Sequence, residues 1–274
     1  MTVEECLVYG KSKCHSDHAK ILLGEVLNKN PLELLNYLKE EVSSSKVDQY
    51  KQLVEAMEEG KPLQYVLKKV NFYGNNFYVD ERVLITRFET EELIENTIFY
   101  IKKYLSNPID IVDLGTGSGA IGLTLEKKIP TNSVDLIDIS KEALEVAKIN
   151  KEILKSNANL IQNDFLTNIS KKYDVIISNP PYIMDQEEIE EIVKNNEPHL
   201  ALYAGEDGLD CYKKILKDVE KNLKEKALIA FEIGSSQGEQ IKELAFQYLN
   251  NCKVEIKKDL SGRDRMLFIL VNME

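Results

Sequence analysis

Ile109-Asp110-Ile111-Val112-Asp113-Leu114-Gly115-Thr116-Gly117-Ser118-Gly119-Ala120-Ile121-Gly122 begins as a short apolar run and ends in a glycine-rich turn. The run reads as a buried strand. Glycines after it let the backbone turn sharply and approach a ligand, at the start of a helix whose free N–H groups favour negative charge. A lone glycine-rich loop also serves as a plain strand-to-helix connection, so its meaning depends on what surrounds it.

Outward from that turn, strand and helix alternate. Strands are predicted at 109–114, 134–137, 160–162, 173–178 and 227–232, with helices at 120–127, 141–155, 208–223 and 237–249. Parallel strands need crossover connections, so this rhythm specifies a mostly parallel α/β sheet with helices on both faces. Cys252 to Lys258 and Met266 to Val271 break it. With only Ser261-Gly262-Arg263-Asp264 and its neighbours between them, they predict an antiparallel hairpin at one sheet edge.

Upstream, Glu89 to about Tyr104 reads as a helix, with Thr86 and Glu89 at capping-box spacing. Residues 69–86, aromatic and β-branched around Gly74-Asn75-Asn76, predict a β-hairpin linker. Residues 1–68 show helical spacing at Ala19, Leu22, Leu23 and Val26, then at Leu34, Leu35 and Leu38, with breaks at Asn30-Pro31 and Ser43-Ser44-Ser45. The expected organisation is a small helical domain over 1–68, the linker, and an α/β domain over 87–274.

The 274 residues, 43% hydrophobic and 30% charged, suffice for one large domain and one small. No apolar run approaches the roughly 20 residues that cross a bilayer. Met1 to Lys13 lacks the apolar core of a signal peptide, so a cytoplasmic location is the expectation. Cys6, Cys14, Cys211 and Cys252 are too scattered for paired zinc spacing and too few for a secreted disulfide framework. Cys14, His15 and His18 read as a solvated helical face, and no metal is expected. A net charge of −11 without a dense basic block disfavours avid nucleic-acid binding, while a basic protein partner suits an acidic surface. No feature demands an oligomer, and a monomer is the default expectation.

The second predicted strand of the α/β domain ends at Asp138, roughly 20 residues beyond the glycine turn, where a carboxylate can accept ribose hydroxyl hydrogens. S-adenosyl-L-methionine and NAD satisfy this pairing equally, because Gly117, Gly119 and Gly122 also match the dinucleotide fingerprint. The third strand ends at Asn163-Asp164-Phe165, placing a polar group and a ring where an adenine would lie. Phe165 alone would read as core packing.

The deciding segment for chemistry is Asp174-Val175-Ile176-Ile177-Ser178-Asn179-Pro180-Pro181-Tyr182, a buried-strand pattern running into two prolines. Proline fixes φ and removes a backbone donor, so Pro180 and Pro181 make a rigid loop. Asn-Pro also opens ordinary turns, but a turn alone does not explain Asn179 and Tyr182 at the C-terminal end of a parallel strand. The acidic run Glu187-Glu188-Ile189-Glu190-Glu191 reads as a solvated helix face, though its place after this loop also suits a lid.

With these motifs the chain resembles the amino methyltransferases that carry an Asn-Pro-Pro-Tyr motif, a class including adenine-N6 enzymes. More narrowly it resembles the PrmC/HemK family of protein-(glutamine-N5) methyltransferases of peptide chain release factors. The narrower likeness rests on Gly60-Lys61-Pro62-Leu63-Gln64-Tyr65, Val83-Leu84-Ile85, Arg87 with Glu89-Thr90-Glu91, Glu197-Pro198 before Ala201-Leu202, Gly205-Glu206-Asp207-Gly208-Leu209-Asp210, and Gly262-Arg263-Asp264-Arg265. These span the chain from about residue 60 to its end. Family members usually have prolines where Thr86 and Phe88 stand, and often a tryptophan at Phe165.

The resemblance implies a class I S-adenosylmethionine methyltransferase fold and a helical domain that recognises a release factor. It implies that Gly115, Thr116, Gly117, Ser118 and Gly119 hold the methionine portion of S-adenosyl-L-methionine, Asp138 the ribose, and Asp164 with Phe165 the adenine. Asn179 would touch donor and acceptor. Asn179, Pro180, Pro181 and Tyr182 would bind the glutamine amide, with Asn179 and Pro180 accepting its N–H hydrogens and the Tyr182 ring packed on its plane. Arg87 reads as a solvent-facing charge without a catalytic part. An adenine-N6 methyltransferase is the alternative enzyme, since an exocyclic amine presents a similar planar N–H pair, but it would need base flipping and a basic track. A non-catalytic cofactor-binding protein would have no need of the acceptor loop.

Overall fold

The computed structural model describes residues 1–273. Two compact units emerge, one of Met1–Lys69 with Glu190–Asn196, the other of Val70–Ile189 with the chain from Glu197 onward.

The first unit contains α1 (Val3–Lys11), α2 (Ser16–Leu27), α3 (Ser44–Glu58) and the short α4 (Leu63–Leu67). Thr2 and Glu5 form a reciprocal capping box at the start of α1. His15 Nδ1 accepts from the Asp17 amide at the head of α2, at 3.4 Å. Cys6, Leu22, Leu23, Leu34 and Val54 form the core, together with Tyr50, whose hydroxyl donates to the Ala19 carbonyl at 3.2 Å. The spacing at Leu34, Leu35 and Leu38 yields only a 3-10 turn over Glu33–Tyr37, with Leu34 buried and Leu35 66% exposed. A single buried leucine gives a longer helix no apolar stripe to bury.

The second unit opens with the hairpin β1 (Val70–Phe72) and β2 (Asn75–Phe77), then α5 (Glu89–Tyr104). The strand-helix alternation follows as β3 (Ile109–Leu114), α6 (Ala120–Lys128), β4 (Thr131–Asp138), α7 (Lys141–Leu154), β5 (Asn159–Gln162) and β6 (Tyr173–Ser178). After β6 come α8 (Glu191–Asn196), which belongs to the first unit, then α9 (Asp210–Val219), β7 (Leu223–Glu232), α10 (Gly238–Tyr248), β8 (Cys252–Lys258) and β9 (Asp264–Val271). The seven-stranded sheet runs β5-β4-β3-β6-β7-β9-β8. Its first five strands are parallel, and β9 pairs antiparallel with both β7 and β8.

Adjacent residues of β3 serve opposite faces. Ile111 joins Leu93, Ile121 and Leu136 in one core, while Val112 joins Tyr212, Ile215 and Ile241 in the other. Burial on both faces is why these strands read as continuous apolar runs. The polar beginning of β7 escaped that reading, because Lys224 there satisfies Asp110 at 2.5 Å and Asp174 at 2.7 Å.

Thr86 does not cap α5. Phe88 holds the N-cap position in helical conformation with no side-chain cap bond, and the first turn is closed instead by Thr90 N donating to Arg87 O and Glu91 N to Phe88 O. Arg87 is likewise not a free surface charge. Its Nη2 lies 2.6 Å from Oε1 of buried Glu197, and its Nη1 donates to the Ile85 carbonyl. Glu187 to Glu190 are not helical, and α8 begins only at Glu191.

Gly122 sets how closely α6 lies on the sheet. A Cβ there would fall 2.3 Å from Leu136 Cδ2 and 3.1 Å from Asp113 Cβ. Gly122→Val should therefore lower stability by about 1–3 kcal/mol through overpacking, read as a fall in the urea midpoint at unchanged m-value. An unchanged midpoint would refute the close-packing role.

Candidate active site at the central strand ends

Sheet order alone marks the place. The chain steps from β3 through β4 to β5 on one side and from β6 to β7 on the other, so the order reverses between β3 and β6, where open α/β sheets take their ligands. Leu114 pairs with Ser178 in register, and the Ser178 hydroxyl donates to the Leu114 carbonyl at 2.6 Å. The glycine turn and the diproline loop thus leave the sheet from adjacent positions.

The turn needs left-handed backbone at Gly115 (φ +67°) and Gly117 (φ +54°). A Cβ at Gly117 would meet nothing within 4 Å, so the requirement there is conformational, with open space above it. Asp113 fixes the turn from beneath, its Oδ2 accepting from Thr116 Oγ1 at 2.6 Å and from the Gly122 amide at 2.9 Å. Burial pushes this carboxyl up to about 6 against those two bonds, and its Oδ1 is buried without a partner among the described residues. From α7, buried Asn150 donates to the carbonyls of Ser118 and Tyr78 and accepts from the Tyr78 amide, which uses its whole side-chain amide in holding the loop.

Asp138, 9% exposed at the end of β4, accepts from Gly117 N and Ser140 N, both at 2.9 Å. Burial raises its pKa, opposed by these backbone donors. Two amide bonds leave lone pairs on each oxygen for further donors. Beyond β5, Phe165 sits at φ +46°, and Asn163 stabilises that unfavourable backbone by donating to the carbonyls of Phe165 and Thr167. The Phe165 ring edge comes within 3.7 Å of where a Gly115 Cβ would be. Asp164 pairs with Lys214.

After β6, the Asn179 Nδ2 donates to Thr90 Oγ1 at 3.4 Å, and Pro180 is buried. The Tyr182 carbonyl accepts from Gln237 Nε2 at 3.0 Å. Gly208 (φ +68°) lies against the same carbonyl, where a Cβ would come within 2.4 Å. Ile183 then bridges to Tyr203, tying this loop to the segment before α9.

A cavity of ≈ 810 Å³ opens over these strand ends and brings together Gly115, Thr116, Gly117, Ser118, Asp138, Asp164, Phe165, Asn179 and Pro181. That volume lies within the range of small-molecule sites. Gly119, Pro180 and Tyr182 do not line it. Gly119 is the N-cap of α6 at φ +81°. The Tyr182 ring packs on the core of the α9 and α10 face, its hydroxyl 3.5 Å from Arg265 Nη1, and burial pushes its phenol up to about 12.

The wall also includes Thr86, Thr90, Leu200 and Tyr203, none of which the sequence marks as a site residue. Thr90 is a fully buried polar residue on a helix, a signal visible only once its apolar neighbours Leu93 and Ile94 define the face it shares.

The PrmC N-terminal domain family matches residues 15–67, and the Methyltransferase small domain family matches residues 90–202. Release factor glutamine methyltransferase of Bacillus subtilis (strain 168) is 40% identical over 247 residues, covering 88% of this chain and 86% of its own. Its namesake in Streptococcus pneumoniae (strain ATCC BAA-255 / R6) is 41% identical over 235 residues, covering 85% and 83%. Among solved structures, the T. thermophilus 16S rRNA methyltransferase RsmC in complex with AdoMet and guanosine shares the fold, with a TM-score of 0.54 at 13% identity over 74% of this chain and 50% of that one. Identity of this degree along most of both lengths, on a sheet that sets the glycine turn beside the diproline loop, makes the chain a member of the release factor glutamine methyltransferase family.

Proposed function

We propose that the cavity binds S-adenosyl-L-methionine and that the enzyme transfers its methyl group to the side-chain amide nitrogen, N5, of the glutamine in the Gly-Gly-Gln motif of peptide chain release factors. The observation that carries this reading is the register of Leu114 with Ser178, which sets Asn179 beside the Gly115 turn. The wall fits the donor: Asp138 has free lone pairs for ribose hydroxyls, Phe165 offers a ring next to Gly115, and the space above Gly117 is open. The names and identity of the relatives support the acceptor.

When bound, the donor supplies a methyl group activated by a sulfonium. An amide nitrogen is a poor nucleophile because its lone pair is delocalised into the carbonyl, so this chain's part is orientation and exclusion of water. The Asn179 side-chain oxygen and the carbonyl of Pro180, a residue set in the chain between the cavity-lining Asn179 and Pro181, accept the two amide N–H hydrogens and present the nitrogen to the donor. Tyr182 serves from behind, its carbonyl anchored by Gln237 so that the loop holds its shape. The nitrogen gives up one of the two hydrogens held by the Asn179 and Pro180 oxygens as it takes the methyl group, and that proton is relayed by a carbonyl or water. No strong base is required, since the amide grows more acidic as it takes the methyl group. The helical unit grips the protein substrate, a role supported by its match to the PrmC N-terminal domain.

Incubation with radiolabelled donor and either release factor or DNA, followed by mass spectrometry of the labelled residue, tests the assignment. Label on the glutamine is the expected result. Label on DNA adenine with none on glutamine would overturn it.

A further inference from the structure

Beneath Asn179 lies a buried polar chain that the transfer chemistry does not itself use. The Thr90 hydroxyl, on the first turn of α5, donates to Glu232 Oε2 at 2.6 Å, and Asn179 Nδ2 donates to Thr90 Oγ1 at 3.4 Å. Thr90 is 0% and Glu232 1% exposed. We propose that Thr90 and Glu232 are positioning residues that fix which way the Asn179 amide faces, holding its carbonyl oxygen toward the acceptor; the inference rests on the function proposed above.

A hydroxyl has a single proton. Once Thr90 gives that proton to the Glu232 carboxylate, its oxygen can only accept, and the neighbouring Asn179 group must be the NH₂ end. The oxygen of the same amide is then left for the substrate. Protonation of Glu232 on Oε2 reverses the chain: that oxygen then donates to Thr90, whose proton turns toward Asn179 and selects the carbonyl end. The NH₂ group would then face the acceptor, and it cannot receive an N–H hydrogen.

Glu232 is placed to make that reversal near neutral pH. Burial pushes its carboxyl up to about 7, while Thr90, Arg265 and Arg87 favour the charged form and Glu89 opposes it. Arg265, on β9, contacts Tyr182 and the Ile233 carbonyl, and Tyr212 donates to the Glu232 main-chain oxygen at 2.7 Å. The charged form is the one that orients Asn179 correctly. Turnover should therefore be full above the Glu232 pKa and decline as pH falls through it.

The test combines side-chain amide NMR on the protein saturated with S-adenosylhomocysteine and turnover on a Gly-Gly-Gln release factor. The Asn179 side-chain resonance, assigned by its loss in Asn179→Ala, should titrate near pH 7 in the wild type and be insensitive to pH in Glu232→Gln and Thr90→Val. Thr90→Val should lose on the order of 10-fold or more in kcat at unchanged KM and unchanged S-adenosylhomocysteine affinity, because misorientation costs turnover rather than binding. Thr90→Ser, which keeps the hydroxyl, should restore it. A pH-silent Asn179 resonance in the wild type, or wild-type kcat in Thr90→Val, would overturn the proposal. A wild-type enzyme that leaves glutamine unmodified would sink the functional reading alone, since the NMR titration does not depend on the acceptor.

Discussion

Asn179→Ala should reduce kcat for methyl transfer by on the order of 10²- to 10³-fold while leaving the donor dissociation constant within about twofold. The asymmetry follows from where the side chain sits. Asn179 borders the cavity at the end of β6, while Asp138, the carboxylate proposed to hold the ribose, lies across β3 at the end of β4. Removing the amide deletes the proposed orienting partner of the acceptor and leaves the Gly115 turn, Asp138 and Phe165 intact. An interaction that matters only as the nitrogen is aligned for attack appears in kcat, not in ground-state affinity for the donor. Calorimetry and single-turnover kinetics on the same purified sample read both quantities. Strong residual turnover would remove Asn179 from the reaction.

Asp138→Ala should have the opposite signature, raising the donor dissociation constant by about 10- to 100-fold, since hydrogen bonds to a charged group contribute roughly 1.5–3 kcal/mol each. The substitution removes the proposed acceptor for ribose hydroxyls and also the anchor for the amides of Gly117 and Ser140, so the turn itself loosens. Asp138→Asn preserves the shape and an acceptor oxygen, and should bind the donor with intermediate affinity. At saturating donor, kcat in Asp138→Ala should recover much of its wild-type value. A dissociation constant unchanged by calorimetry would refute the assignment.

The legible part of this fold was what repeats or turns. Apolar runs buried on both faces gave β3, β6 and most of β7 away, and glycines with prolines at strand ends marked the two loops whose adjacency makes the cavity. The illegible part was polar and distant. Thr90 and Glu232 are 142 positions apart in the chain, and neither differs locally from a solvated threonine or glutamate. Asn150 looks like an ordinary polar position on an amphipathic helix until Tyr78 and Ser118 arrive to use its amide. Thr86 had the spacing of a cap, but α5 begins where Arg87 and Phe88 already hold helical carbonyls, and Thr86 lines the cavity instead. Tyr182 sits in the motif, yet its ring is drawn to the apolar core beside Arg265. Motif spacing locates a loop without specifying which face each side chain chooses.

A crystal structure with S-adenosyl-L-methionine and a Gly-Gly-Gln peptide bound would probe the central claim most directly. The expected result is a sulfonium methyl directed at a glutamine nitrogen whose two hydrogens meet the Asn179 side-chain oxygen and the Pro180 carbonyl. A methyl group pointing away from that loop, or a glutamine held elsewhere, would contradict it.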